Sequence, residues 1–327
     1  MSFGQIKGLN APIEVLRSAL ECRRIPASYL FSGPEGIGKN LAAMTLAKAV
    51  NCLEGDGVDP CDNCASCRKI DAGNHPDVHL IPPRDKLDEG GETGDTIKIE
   101  HVRQLQDSIY LRPYEGKYKV FIVDNAHLLT PDASNAFLKT LEEPPANSLI
   151  ILITSKPRML LSTIVSRCQR VRFASLPKDE LGRMLVQEHG LDGPLSHYLA
   201  YFCEGRIGRA LRLKDEDVLR NKNSVIDYFL SGSKASGVSE PLSKDRMRES
   251  LGILASWLRD IYYLKVGMSE GELVHLDRRD ELSSVADRYS LSELDSLFKM
   301  VCDTSVYLEQ NINPRLLLNN MRLSFNG

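Results

Sequence analysis

Three sets of residues in this chain have the types and spacing to do chemistry. The first is "LFSGPEGIGKN", residues 30–40. Gly33, Gly36, Gly38 and Lys39 can form a phosphate-binding loop. Glycines let backbone N–H groups approach phosphate oxygens, the helix that follows points its N-terminus at them, and the lysine neutralises β/γ charge. Such loops place Ser or Thr after the lysine, because that hydroxyl holds Mg²⁺. Here the residue is Asn40, whose amide carbonyl could offer an oxygen to Mg²⁺ only with a different reach. A Gly-rich strand–helix turn with a surface lysine is the plainer alternative. The second set is Cys52, Cys61, Cys64 and Cys67, spaced C-x8-C-x2-C-x2-C. The closely set thiols can converge on one ion, and the Gly-containing segment 54–60 lets Cys52 return to it. Four thiolates suit tetrahedral Zn²⁺ and leave no open position, so the metal would be structural. An iron–sulfur cluster and four free thiols are the rivals. His75 and His79 lie nearby and read as strand-flanking residues. Cys22, Cys168, Cys203 and Cys302 read as ordinary buried thiols.

A third cluster follows "KVFIV". In "DNAH", residues 124–127, a buried strand ends in Asp124, the place of a Mg²⁺-organising acid. Many ATPases have Glu next, to orient or deprotonate the attacking water. Asn125 stands there instead, and an amide cannot accept a proton at neutral pH. A simple strand-end cap is the alternative role for Asp124. Thr154 and Ser155 end another apolar strand, where a helix N-cap is one reading.

The elements that must hold these residues alternate. "ASYLFSG" (27–33) reads as a strand and "NLAAMTLAKAV" (40–50) as a helix with Leu41, Met44 and Ala47 on one face. "DVHLI" (77–81) and "QRVRF" (169–173) read as short strands, and "IEHVRQLQDSIYL" (99–111) as a helix. "KVFIVD" (119–124) and "SLIILIT" (148–154) are nearly unbroken apolar runs, suited to a parallel sheet covered on both faces. Between them Thr130 and Pro131 start a helix with Ala133, Phe137 and Leu141 on its buried face. The polar stretches 84–96 and 231–245 read as loops. After about residue 175 the strand signals stop. Helices are expected over 176–190, 196–205 and 208–213, then a long one through Leu251, Leu254, Trp257, Leu258 and Ile261, and another through Leu294, Leu297, Phe298 and Val301. The expected order is an α/β domain over 1–175, a small helical domain over 176–220 and an all-α domain over 221–327.

The 327 residues carry a formal charge of −3, with 42% apolar and 26% charged side chains. That composition suits a soluble globular protein and gives little reason to expect the lone chain to grip DNA phosphates. No run has the length of a membrane span and no signal-peptide core is present, so a cytoplasmic protein without membrane contact is expected.

In this order and spacing, "GPEGIGK", the cysteine cluster, "VFIVDNAHLLTPDASNAFLKTLEEPP", "ILITSKP" and "IVSRC" resemble the clamp-loader family of bacterial DNA polymerase III, which are AAA+ ATPases. The resemblance is specific over about residues 3–213 and architectural beyond. It implies an α/β AAA+ domain with a parallel sheet and an inserted zinc module at 52–67, a small helical lid and an all-α collar. The family includes a hydrolysing gamma/tau type and a delta-prime type whose ATP site is typically degraded. Asn40 and Asn125 favour the second. So does "EGRIGRAL" (204–211), where Gly208 stands in place of the γ-phosphate-sensing Arg of hydrolysing subunits. Arg209 is adjacent, but neighbours on a helix point about 100° apart. The resemblance makes Arg167 of "SRC" an arginine finger for a neighbour's ATP, an internal salt bridge being the alternative, and makes Thr154 a polar sensor. It implies ATP or ADP in the loop, with Mg²⁺ if bound. The implied partners are gamma/tau and delta subunits in a hetero-pentamer and, through that complex, the sliding clamp and primed DNA. An active gamma/tau-like ATPase or another AAA+ remodeller is the rival expectation.

Overall fold

The computed structural model describes residues 2–81, 96–214, 217–230, 243–310, 312, 316, 317 and 321. The chain forms two compact units, residues 1–175 and 176–327. The loops expected over 84–96 and 231–245 lie almost wholly outside the described residues. Where the chain resumes after the second, Ser243 already caps a helix by accepting the Arg246 N–H.

The first unit runs α1 (Asn10–Glu21), β1 (Ser28–Ser32), α2 (Lys39–Asn51), α3 (Ala65–Asp71), β2 (Val78–Ile81), α4 (Ile99–Ile109), β3 (Lys119–Val123), α5 (Pro131–Glu142), β4 (Ser148–Thr154), α6 (Ser162–Arg167) and β5 (Gln169–Arg172). The five strands pair in parallel in the order β2-β3-β4-β1-β5. Successive side chains of a strand point to opposite faces. Tyr29 and Phe31 of β1 therefore pack with Leu16 and Leu46 from α1 and α2. Leu30 faces the other way, into a cluster with Leu105, Phe137 and Ile164 from α4, α5 and α6. Helices on both faces are why the strands read as continuous apolar runs. Thr130 caps α5 by accepting the Ala133 N–H, as its sequence indicates. Helix α2 departs from expectation. Ala42, Ala43, Leu46 and Ala47 are buried, whereas Leu41 is exposed, because the sheet and α1 contact a different side of the helix.

The second unit contains α7 (Lys178–His189), α8 (Gly193–Phe202), α9 (Ile207–Leu213), α10 (Val218–Leu230), α11 (Lys244–Lys265), α12 (Arg279–Ala286) and α13 (Leu291–Glu309). One apolar cluster joins them, including Leu181, Tyr198, Ile207, Phe229, Trp257 and Leu297. Leu294, Leu297, Val301 and Leu308 form the buried stripe of α13. Phe298, expected in that stripe, is 43% exposed. At about 100° per residue it falls beside the stripe, in line with exposed Leu291. Cys22 and Cys302 are exposed rather than buried. Cys168 and Cys203 are buried, and burial pushes their thiols up to about 12 and about 11. No helix among the described residues is long and apolar enough to cross a membrane.

His275 gives this unit an acid sensitivity. Its ring is fully buried near Trp257 and Tyr198. Nε2 meets Ser256 Oγ at 2.9 Å, and that hydroxyl donates to Ile253 O at 2.8 Å, so the imidazole proton belongs on Nε2. Nδ1 has no partner among the described residues. Burial, then the charges of Lys222, Arg259 and Arg278, hold the His275 pKa well below 6.5. Asp260 accepts the Val274 and His275 backbone N–H groups. The unfolded chain therefore takes up this proton near its ordinary pKa while the folded chain refuses it. The stability from neutral His275 is complete above about pH 6.5 and declines below it, by up to about 1.4 kcal/mol per pH unit. Urea melts between about pH 6.5 and 5.5 should show this slope, reduced in His275→Gln; equal slopes would mean other groups carry it.

Candidate functional site

The phosphate-loop residues lie where β1 gives way to α2. Gly33 N–H donates to Thr154 O at 3.2 Å, and Phe173 N–H donates to Ser32 O at 2.7 Å, so the loop leaves the sheet between the ends of β4 and β5. Gly33 has φ +154°, and a Cβ built there would lie 2.2 Å from Phe173 O. Only hydrogen fits so close to a neighbouring backbone. Gly38 precedes α2 with no side-chain cap, which leaves the first-turn N–H groups available to the loop. Lys39 is 7% exposed, and its Nζ donates to Gly33 O at 2.7 Å and Pro34 O at 2.6 Å. Burial lowers its pKa to about 8, against the opposing pull of Asp124 and Glu35. The ammonium thus closes the loop on its own carbonyls, with which a bound phosphate would compete.

The strand order sets the ends of β3, β4 and β1 side by side at the carboxyl edge of the sheet, which brings Asp124, Thr154 and the loop together. Asp124 Oδ1 accepts the Asn125 N–H at 2.9 Å. Asn125 has φ 50°, a left-handed conformation that Asn tolerates better than most residues. Asn40 sits partly buried in the first turn of α2. Thr154 is fully buried; its Oγ1 accepts the Lys156 N–H at 3.0 Å and lies 3.2 Å from His127 Nδ1. It therefore organises the turn after β4 rather than capping a regular helix. Burial, then Lys156, lowers the His127 pKa, so a neutral ring faces the threonine. His127 did not stand out in the sequence; its only signal was a place three residues beyond Asp124.

Arg167 does not join this group. It ends α6 and precedes β5, whose first residue pairs with Tyr29 at the start of β1. It therefore lies at the amino edge of the sheet, a strand length from its own phosphate loop. Its Nη1 donates to Thr163 O at 2.9 Å and its Nη2 to Glu142 Oε1 at 2.6 Å. Both side chains remain accessible, 34% for Arg167 and 49% for Glu142. In the second unit, Arg209 stacks over the Phe202 ring at 4.8 Å, with Gly252 of α11 beside it, and so serves packing within that unit.

The sulfurs of Cys52, Cys61, Cys64 and Cys67 all lie within 4.8 Å of one another. Cys52 Sγ is 3.9 Å from Cys64 Sγ and 3.7 Å from Cys67 Sγ. A tetrahedron with Zn–S arms of ~2.3 Å has sulfurs about 3.8 Å apart. Disulfides, at about 2.05 Å, are excluded at those separations. Backbone N–H groups point at the sulfurs: Gly55 and Cys61 at Cys52, Cys64 at Cys61, and Cys67 at Cys64. Such donors favour thiolate. Burial pushes the Cys64 thiol up, but hydrogen bonds from the Cys67 and Leu53 N–H groups and from the neighbouring thiols outweigh it and bring it to about 6, whereas burial holds the Cys67 thiol above its ordinary value. The donor set fits a four-thiolate metal. The histidines stay outside it: His75 pairs with Ser66 at 3.2 Å, and His79 stacks on Phe121. The cluster is tied to the fold by Lys48, 2% exposed, which reaches Asp62 at 2.6 Å and Asp71 at 3.0 Å. Asp59 accepts the Phe3 N–H and pairs with Arg17, both at distances below 3 Å (2.8 and 2.7 Å).

Comparison with known proteins identifies the family of the chain. The family model described as "DNA polymerase III, delta subunit" matches residues 8–177, and the model for that subunit's C-terminal part matches residues 222–326. The chain is 29% identical over 323 residues to DNA polymerase III subunit delta' of Bacillus subtilis (strain 168), covering 95% of this chain and 94% of that one. It is 34% identical over 235 residues to DNA polymerase III subunit tau of Escherichia coli (strain K12), covering 70% of this chain but 35% of that protein, so it spans about a third of the tau relative. A crystal structure of a DNA polymerase III gamma subunit-related protein of Thermotoga maritima has TM-score 0.50 at 20% identity and covers 96% of this chain and 98% of its own, which is a likeness of fold. With the parallel AAA+ sheet, the helical C-terminal part and the four-cysteine cluster in place, the chain belongs to the DNA polymerase III delta-subunit family.

Proposed function

We propose that this chain is a delta-prime-type subunit of the DNA polymerase III clamp loader, a cytoplasmic AAA+ stator that hydrolyses little ATP and supplies Arg167 to a neighbour's ATP site. The observation that carries the reading is the placement of Arg167. It is accessible and at the opposite edge of the sheet from Gly33–Asn40, so its guanidinium is offered outward rather than to its own nucleotide loop. Guanidinium suits that task because it stays charged and binds phosphate bidentately. The chain's own site supports the same division of labour. Asn125 replaces a proton acceptor, Asn40 replaces the Mg²⁺-holding hydroxyl, Gly208 replaces a phosphate-sensing Arg, and Arg209 is engaged with Phe202. Gly33, Gly36, Gly38 and Lys39 still form a loop able to hold ATP or ADP, with Mg²⁺ through Asp124 if bound.

The ring would include gamma/tau and delta subunits in a hetero-pentamer that opens the sliding clamp and places it on primed DNA. Leu291 and Phe298, exposed on one side of α13, supply apolar surface for a shared helical collar. The four cysteines would hold a structural Zn²⁺. In the division proposed, 176–220 serves as lid and 221–327 as collar.

The test is ATP turnover with the chain's own loop disabled. The lone chain should hydrolyse ATP at background. In the reassembled loader, Lys39→Ala should leave clamp- and DNA-stimulated turnover within about twofold, since uniform loss of one silent site removes no chemistry. A collapse of turnover on Lys39→Ala would make this chain a motor subunit of the gamma/tau kind.

A further inference from the structure

The interaction between Arg167 and Glu142 is built from two helix ends. Arg167 is the last residue of α6, and Glu142 is the last residue of α5. The two helices share one apolar cluster, in which Phe137 and Leu141 of α5 lie with Ile164 of α6 and with Cys168, the residue after Arg167. The backbone under both side chains is therefore fixed by the core. The guanidinium is then held at two points, by Thr163 O at 2.9 Å and by Glu142 Oε1 at 2.6 Å. A guanidinium carries five N–H donors. Two contacts fix its plane and leave donors for an incoming phosphate. A freely rotating arginine would spend side-chain entropy each time it met a transition state; one already oriented spends less.

We infer that Glu142 is a positioning residue for Arg167, pre-orienting the guanidinium toward the neighbouring subunit's γ-phosphate. This deepens the proposed function and rests on its assignment of Arg167. Glu142 touches no nucleotide in this scheme and acts only through the arginine. An opposite role, quenching the charge of Arg167 until assembly, predicts the opposite sign and is an outcome of the test.

The experiment resolves, by rapid-quench phosphate formation under clamp and DNA stimulation, the phase of the neighbouring site in the reassembled loader, with the chain as wild type, Glu142→Ala, Glu142→Gln, Arg167→Ala, and the Glu142→Ala/Arg167→Ala double variant. Glu142→Ala should lower the maximal rate at the neighbouring site about fivefold, the scale of a well-oriented, partly exposed pair, with KM for ATP unchanged. Glu142→Gln keeps an acceptor oxygen and should restore most of the rate. The double variant should match Arg167→Ala, because Glu142 has nothing to act through once the guanidinium is gone. A rate that rises in Glu142→Ala, that stays at wild type, or that falls further in the double variant would overturn the inference while leaving the Arg167 assignment standing. No effect of Arg167→Ala would overturn that assignment itself. Thermal melts of each variant report whether any loss is one of folding.

Discussion

In the reassembled clamp loader, Arg167→Ala should slow ATP hydrolysis at the neighbouring subunit by about 10³-fold if the proposed role holds, the lower end of the range for an arginine finger supplied in trans. The size would follow from the charge that builds on a transferred phosphoryl group, which a fixed cation stabilises most where water is excluded. A fixed cation there stabilises the transition state more than the ground state, so the loss falls on the rate rather than on ATP binding. Because the ring has other ATP sites, steady-state turnover would show a smaller drop than the site itself suffers. Rapid-quench phosphate formation separates the two: the phase belonging to the adjacent site should vanish while the others persist. Arg167→Lys should recover little, since an ammonium lacks the planar pair of donors. The variant should fold normally, because Arg167 lies at the end of α6 outside the apolar cluster that holds α6 in place. A normal phase in Arg167→Ala would return this residue to the role of a local helix-end ion pair with Glu142.

What could be read in advance follows from where each signal resides. β3 and β4 were legible because strands covered on both faces must be apolar along their length, and the sheet satisfies that condition with helices on each side. The cysteine cluster was legible because its spacing is local in sequence, and the loop and Asp124 stand out as candidates for the same reason. Helix α1 was not anticipated, although Ile13, Leu16 and Leu20 lie on one buried face. The pattern includes Phe298 in the stripe because hydrophobic periodicity alone does not mark where a stripe ends; only the packing of α11 against α13 decides that. The Arg167–Glu142 and Lys48–Asp62 contacts join residues far apart in the chain, and no spacing rule announces them. The same holds for His127, whose partner Thr154 arrives from another strand. Accessible Cys22 and Cys302 show that the burial of a lone thiol belongs to the fold, not to the residue type.

The other large effect concerns the metal. Purified chain should contain a single Zn²⁺, and stripping it, or Cys67→Ser, should destabilise the first unit by about 3–5 kcal/mol. Cys64 is both a candidate ligand and the N-cap of α3, accepting the Cys67 N–H, so loss of the ion also loosens the start of that helix. Without convergence of the sulfurs, segment 53–64 has no reason to keep Asp62 against Lys48. Lys48 would then be a buried cation short of a partner, which is the costly part of breaking such a pair. The disturbance should also reach the N-terminus, because Asp59 holds the Phe3 N–H and Arg17. Hydrogen exchange should therefore quicken together in residues 2–6, 53–64 and α3, while β3 and β4, whose core lies elsewhere, keep their protection. Metal analysis is decisive on identity. Iron with visible absorption would assign the four thiolates to a cluster, and a metal-free chain with normal melting would leave them as unliganded thiols held by the backbone N–H groups alone.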